Sequence, residues 1–178
     1  MTELDVIWVG RIDSQKDPGL VLDAAEAALA AGLSFRFRLV GDGPLRASLE
    51  SRIVRDRLSN VELVGPKAQI EVASLLRGSK VFLMSSHYEG SPTALVEALA
   101  SGLPAVVTRE SDPDGIVVEG VNGSVVTTRT GWAIVAALEA VRRIGDVHVT
   151  EQVAARSACN LVPRLASAGD VLPGGLQS

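Results

Sequence analysis

Short unbroken apolar runs alternate along most of this chain with longer stretches whose apolar positions recur every three or four residues. The runs at 6–9, 81–84 and 105–107 are too short for helices and lack polar alternation, so they predict parallel strands buried in a sheet, and 61–64 is a further strand. A different pattern marks 35–39, where Phe35, Phe37 and Leu39 alternate with Arg36 and Arg38. That strand is expected to be half buried and to lie toward a sheet edge, stopping at Gly41. A last strand is expected over 125–127, after a turn at Asn122-Gly123.

Between these runs the spacing is helical. Asp17-Pro18 supplies a cap and a first-turn proline for a helix ending at Gly32, with Leu20, Ala24, Ala27, Ala28 and Ala31 as its buried stripe. Further helices are predicted from Pro44 to about Arg57, over 70–76, and from Pro92 to Gly102 with Ser91 as cap. Another covers 130–144, with Ala133, Ala137, Leu138 and Val141 inward. Strands and helices that alternate this regularly imply an α/β fold: a Rossmann-like, doubly wound parallel sheet of about six strands. That domain is expected over 1–145. Residues 146–178 are expected to hold a terminal helix, near 149–160, and a mobile tail.

The stretch 85–102, SSHYEGSPTALVEALASG, concentrates the candidate chemistry at one strand end. Ligands of open α/β sheets sit beyond the carboxyl ends of the strands, where this segment begins. Glu89 falls on the loop and Glu97 about a turn and a half into the helix. Five residues past Pro92, Glu97 lies roughly 7 to 8 Å along the helix axis, so the two carboxylates suit two hydroxylated parts of one extended ligand. The helix start, with N–H groups near Ser91, Thr93 and Ala94, favours an anionic or hydroxyl-rich group beside Glu89.

Composition narrows the classes of function. The chain has 178 residues, is 47% hydrophobic and carries a net charge of -4, which argues against a nucleic-acid binder and for small-molecule partners. One cysteine, Cys159, excludes an internal disulfide framework and fits a reducing cytoplasm. His87 and His148 are too distant to suggest a zinc site, and no apolar stretch approaches the ~20 residues of a membrane span. The turn Gly41-Asp42-Gly43-Pro44 has Arg46 where a dinucleotide fingerprint needs its third glycine, and no GxxxxGK[ST] occurs.

Five short pieces coincide in order: Gly10-Arg11 with Lys16, Val40-Gly41-Asp42-Gly43-Pro44, Gly65 after a strand, Glu89-Gly90 with Glu97 eight residues on, and Ala100-Ser101-Gly102-Leu103-Pro104. Together they resemble the carboxyl-terminal, nucleotide-sugar-binding domain of retaining GT-B glycosyltransferases, the glycosyl transferases group 1, over roughly 6–144. The resemblance implies that Arg11 and Lys16 hold the donor's diphosphate, that Glu89 contacts sugar hydroxyls and that Glu97 accepts from the ribose. It makes Arg11, Lys16 and Glu89 the catalytic set, and places Gly10, Gly43, Gly65, Pro66, Lys67, Gly90, Ser91, Pro92, Thr93 and Glu97 around the donor. The loop at Gly65, Pro66 and Lys67 would lie beside the nucleobase.

No metal or other cofactor is expected, because the cationic loop neutralises the diphosphate. Asp112-Pro113-Asp114, which has the form of a metal-binding DxD, is read as a turn stiffened by proline. His87 and Tyr88 are candidates to line the sugar pocket. Trp8 and Trp132 are read as packing residues. The family's acceptor-binding, amino-terminal half is missing, so the chain is expected to be incomplete alone, needing that domain or a partner chain. A cytoplasmic location is expected, with the full-length enzyme peripheral to the membrane. The alternatives are a non-catalytic nucleotide-sugar-binding module and a generic Rossmann-like oxidoreductase domain.

Overall fold

The computed structural model of the chain describes residues 3–144. The expected terminal helix, the tail, Cys159 and His148 lie outside the described residues. Six strands form one sheet: β1 (Leu4–Val9), β2 (Phe35–Val40), β3 (Val61–Gly65), β4 (Val81–Met84), β5 (Ala105–Thr108) and β6 (Gly123–Val126). Their order is β3-β2-β1-β4-β5-β6, and every neighbouring pair is parallel. The helices are α1 (Pro18–Ala30), α2 (Arg46–Arg55), α3 (Gln69–Arg77), α4 (Thr93–Ala100) and α5 (Gly131–Val141).

Side chains alternate across the sheet and split the core into two layers. Val6 and Trp8 of β1, Val81 and Leu83 of β4, and Val106 of β5 join α1 and α5 in one layer. Ile7, Phe82, Met84, Ala105 and Val107 join Leu76 of α3 and Leu95, Ala98 and Leu99 of α4 in the other. Continuous apolar runs are what such doubly covered strands require.

Several expectations shift by a residue or two. The alternating strand β2 is one place in from the edge; β3 is the edge, and exposed Arg36 reaches its Glu62 at 3.9 Å. Helix α1 begins as expected, with Asp17 Oδ1 accepting the Leu20 N–H at 3.3 Å, but Ala31 caps its far end and is exposed rather than buried. Helix α2 starts two residues late, without a side-chain cap. Ser91 does not cap α4: Pro92 is the N-cap residue and offers no side-chain acceptor. Gly102, at φ 83, does close that helix in the left-handed region.

The Asn122-Gly123 turn also needs correction. Gly123 already belongs to β6, where a Cβ would stand 1.9 Å from the Ala105 carbonyl oxygen. Asn122 is buried and holds the preceding turn together, accepting from Val118 N–H at 2.7 Å and donating to the Ile116 carbonyl at 3.1 Å.

Candidate functional site

The strand order reverses direction between β1 and β4, and the crevice at such a switch point is where open α/β sheets take their ligands. Two loops flank it, one following β1 and carrying Arg11 and Lys16, the other following β4 and carrying Glu89. Lys16 Nζ meets Glu89 Oε1 at 2.5 Å, and Ser86 Oγ donates to the same oxygen at 2.5 Å. The Glu89 side chain is 5% exposed and that of Lys16 26%, so the pair is shielded on the carboxylate side and open on the ammonium side. A buried carboxylate needs this kind of charged and hydrogen-bonded partnership.

The two loops are stitched by further bonds. Trp8 Nε1 donates to Ser85 Oγ at 3.0 Å, and that hydroxyl lies 2.9 Å from the Lys16 carbonyl and 2.8 Å from that of Asp17. His87 N–H donates to the Gln15 carbonyl at 2.8 Å, while Gln15 Nε2 donates to the Tyr88 carbonyl at 3.1 Å. Trp8 is therefore a packing residue with a second task, and Trp132 stands exposed beside α1.

Arg11 is 71% exposed at its side chain and lies 3.3 Å from Asp13. His87 and Tyr88 are exposed on the rim of the Glu89 loop. Glu97 is half buried on α4, and its carboxylate makes no hydrogen bond or ion pair with any described residue. The N–H of Thr93, expected to face a ligand, instead donates to the Ser91 carbonyl at 2.8 Å. Ser91 and Thr93 are exposed, Pro92 is buried, and Gly90 sits against the Tyr88 ring.

The glycines have internal reasons for being glycines. A Cβ on Gly43 would stand 2.4 Å from the Ile12 carbonyl oxygen, and one on Gly10 would stand 3.1 Å from the Trp8 ring. Gly43 thus lets the turn after β2 lie on the loop after β1, with Ile12 N–H bonded to Asp42 O at 2.9 Å and Leu45 N–H to Ile12 O at 3.0 Å. Gly65 ends β3 at φ 83 and accepts from Gly41 N–H at 3.0 Å. Pro66 and Lys67 are exposed beyond it, Lys67 lying 3.6 Å from Glu71.

Asp112-Pro113-Asp114 is a turn. Both Asp112 oxygens are occupied by backbone donors, Ile116 N–H at 2.9 Å and Val117 N–H at 2.8 Å. Among the described residues no group of three or more His, Cys, Asp or Glu is arranged to hold a metal ion.

One residue at the site was not anticipated. Arg129, on the loop after β6, reaches 2.6 Å from Asp17 Oδ2, 2.6 Å from the Ser85 carbonyl and 3.2 Å from that of Ser86. Nothing in the local sequence, Thr127-Thr128-Arg129-Thr130, marks it. Only the sheet order brings β6 to the same end of the molecule as β1 and β4.

The doubly wound sheet thus brings a cation and a carboxylate together at its switch point. The chain belongs to the glycosyl transferases group 1, whose family model matches residues 3–144. It is 34% identical over 161 residues to the putative colanic acid biosynthesis glycosyltransferase WcaL of Salmonella typhimurium, an alignment covering 86% of this chain and 39% of that one. It is 30% identical over 162 residues to the amylovoran biosynthesis glycosyltransferase AmsK of Erwinia amylovora, covering 87% of this chain and 40% of the other. The chain thus spans about two fifths of the length of these relatives.

Among solved structures, Anabaena HepE in complex with UDP and glucose superposes with a TM-score of 0.75 at 19% identity, over 93% of this chain and 48% of that one. The carboxyl-terminal domain of the group 1 protein LpcC from Francisella tularensis gives a TM-score of 0.67 at 19% identity, over 91% of this chain and 86% of that one. The fold is the Rossmann-like α/β fold of GT-B glycosyltransferases.

Proposed function

We propose that this chain is the donor-binding, carboxyl-terminal half of a retaining glycosyltransferase that moves a hexosyl group from a nucleoside-diphosphate sugar to an acceptor. The observation that carries the proposal is the Lys16–Glu89 pair, assembled at the switch point from loops 73 residues apart in sequence. The match of a separate carboxyl-terminal domain over most of its length supports the assignment to that half.

In this reading the resting pair is the site's own ligand. A bound diphosphate draws Lys16 and the exposed Arg11 side chain to its oxygens, which frees Glu89 to accept from a hydroxyl of the sugar. Negative charge grows on the diphosphate as the sugar–phosphate bond breaks, so the two cations stabilise the transition state more than the bound donor. Glu97, whose carboxylate has no partner among the described residues, accepts from the ribose. Gly65, Pro66 and Lys67 border the base. No divalent ion takes part, because Arg11 and Lys16 carry the countercharge, and both Asp112 oxygens are engaged by amides. The amino-terminal domain supplies the acceptor platform, and the whole enzyme works in the cytoplasm, peripheral to the membrane. Among the described residues no helix is long and apolar enough to cross a membrane.

Titrating the purified chain with UDP, GDP, ADP and NAD in the presence of chelator tests this reading. One nucleoside diphosphate is expected to bind, and to bind more tightly than NAD. Preference for NAD points to an oxidoreductase domain. Binding that requires added magnesium or manganese overturns the metal-free assignment.

A further inference from the structure

We propose that Arg129 is a positioning residue for the transfer reaction: it clamps the Lys16 loop to the Glu89 loop and so sets the separation of the two side chains. Its guanidinium lies where the two loops meet. One edge takes Asp17, the residue after Lys16, at 2.6 Å; the same group donates to the carbonyls of Ser85 at 2.6 Å and Ser86 at 3.2 Å, just before the loop that carries Glu89. Few side chains can do this, because three acceptors on two segments need the planar fork of an arginine.

Bonds from Ser85 Oγ to the Lys16 and Asp17 carbonyls, and from Gln15 to the Glu89 loop, already tie these segments, and Arg129 adds an ion pair at a residue of unusual conformation. Asp17 has φ 44, the left-handed region that a non-glycine residue rarely adopts, and caps α1 from that conformation. The structure around it must therefore fix it. Arg129 and the capped Leu20 N–H are its close partners, with His87 Nε2 farther away at 3.4 Å. On the other side, Thr108 Oγ1 donates to the Ser86 carbonyl at 2.9 Å, so strand β5 shares the clamping. The Arg129 side chain is 21% exposed, and its longer ion pair, to the more exposed Glu110, spans 3.4 Å. Arg129 makes no contact with Lys16 or Glu89; it acts through the backbone that carries them.

This inference rests on the donor-site reading for its effect on binding, but not for its effect on the Lys16–Glu89 pair. The full chain and the variants Arg129→Gln, Arg129→Lys and Glu110→Gln would be compared in two measurements. The first is acetylation of lysines by an active ester, followed by peptide mass analysis. In Arg129→Gln, Lys16 is expected to react several-fold faster, with exposed Lys67 and Lys80 unchanged as internal standards. The second is affinity for UDP and GDP. It should fall about tenfold in Arg129→Gln, recover in part in Arg129→Lys, and stay unchanged in Glu110→Gln.

Circular dichroism melts establish that each variant is folded at the assay temperature. If Arg129→Gln does not fold, Asp17→Asn takes its place, since it keeps the helix cap and removes the ion pair. A folded variant with unchanged Lys16 labelling and nucleotide affinity within twofold of the parent overturns the proposal. If the parent chain binds no nucleotide, the donor-site reading falls, and Lys16 labelling still decides whether Arg129 positions the pair.

Discussion

Lys16 and Glu89 depend on each other unequally. Glu89 is nearly closed off from solvent, while Lys16 can turn its ammonium outward. Removing the lysine therefore leaves a buried carboxylate with, among the described residues, the Ser86 hydroxyl as its side-chain partner. Lys16→Met is expected to cost about 2 to 3 kcal/mol in chemical denaturation, toward the lower end of buried-pair losses because one partner is part exposed. The double variant Lys16→Met/Glu89→Gln should recover most of that stability and bind no nucleoside diphosphate. A loss in the double variant equal to the sum of the Lys16→Met and Glu89→Gln losses would mean that the pair is not coupled. Glu97 is the converse case, since its half-buried carboxylate has no described partner to lose. Glu97→Ala should leave the melting temperature unchanged and weaken ribonucleotides by ~1.5 to 3 kcal/mol, with a smaller effect on 2′-deoxy analogues. Calorimetric titration of both nucleotide series distinguishes a ribose contact from a structural role.

At the scale of elements, the ends of β1 and β2 touch backbone to backbone. Gly41 has φ 139, and a Cβ there would stand 1.9 Å from the Gly10 carbonyl oxygen. Gly41→Ala should therefore cost about 3 kcal/mol, while Gly32→Ala, strained at φ 66 but with open space around it, should cost clearly less. Helix α3 offers a pH test. Glu71 Oε2 accepts the Ala68 N–H at 2.9 Å, which together with Lys67 holds its carboxyl below the usual value of 4.5. A group with a lowered folded-state pKa contributes stability above its unfolded value and loses it as pH falls through the folded one. Thermal melts of Glu71→Gln should thus differ from the parent near neutrality and converge with it in acid.

Much at this scale was legible from the chain alone, and the misses have physical causes. Strands buried on both faces announce themselves as apolar runs, and Asp17-Pro18 and Gly102 mark helix ends through local chemistry. Ser91 misled because a serine before a proline fits a cap, yet the tight turn at Ser91–Thr93 is closed by a backbone carbonyl instead. Asn122-Gly123 has the letters of a hairpin turn, but the asparagine is consumed inside the preceding loop and the glycine is needed where β6 passes the Ala105 carbonyl. Lys16 and Glu89 were visible through their motifs. Their direct pairing was not, because it depends on how two loops meet across the sheet. Arg129 was invisible for the same reason.

For the whole molecule, a crevice that serves the donor, as proposed, still leaves the acceptor to be placed. An acceptor hydroxyl must approach the sugar carbon to about 3 to 3.5 Å, and water must be kept out. The purified chain is therefore expected to release no diphosphate in a glycoside-forming reaction, whatever acceptors are offered. Multiple turnovers by this polypeptide alone would require an acceptor site within it. The chain spans 39% of WcaL, and adding a matching amino-terminal domain should restore turnover if the division of labour is as proposed.

The bond from Arg129 to Asp17 closes a loop of 112 residues, the longest-range side-chain link at the site. On a ribosome, chain that has emerged only as far as β5 already carries both Lys16 and Glu89, yet lacks the arginine that joins their loops. The strands can begin to assemble in order of synthesis, but the contacts of Arg129 to Asp17, Ser85 and Ser86 form only when the segment after β6 arrives. If Arg129 positions the pair as proposed, a nascent chain halted short of that point carries Lys16 and Glu89 without the contact that aligns their loops.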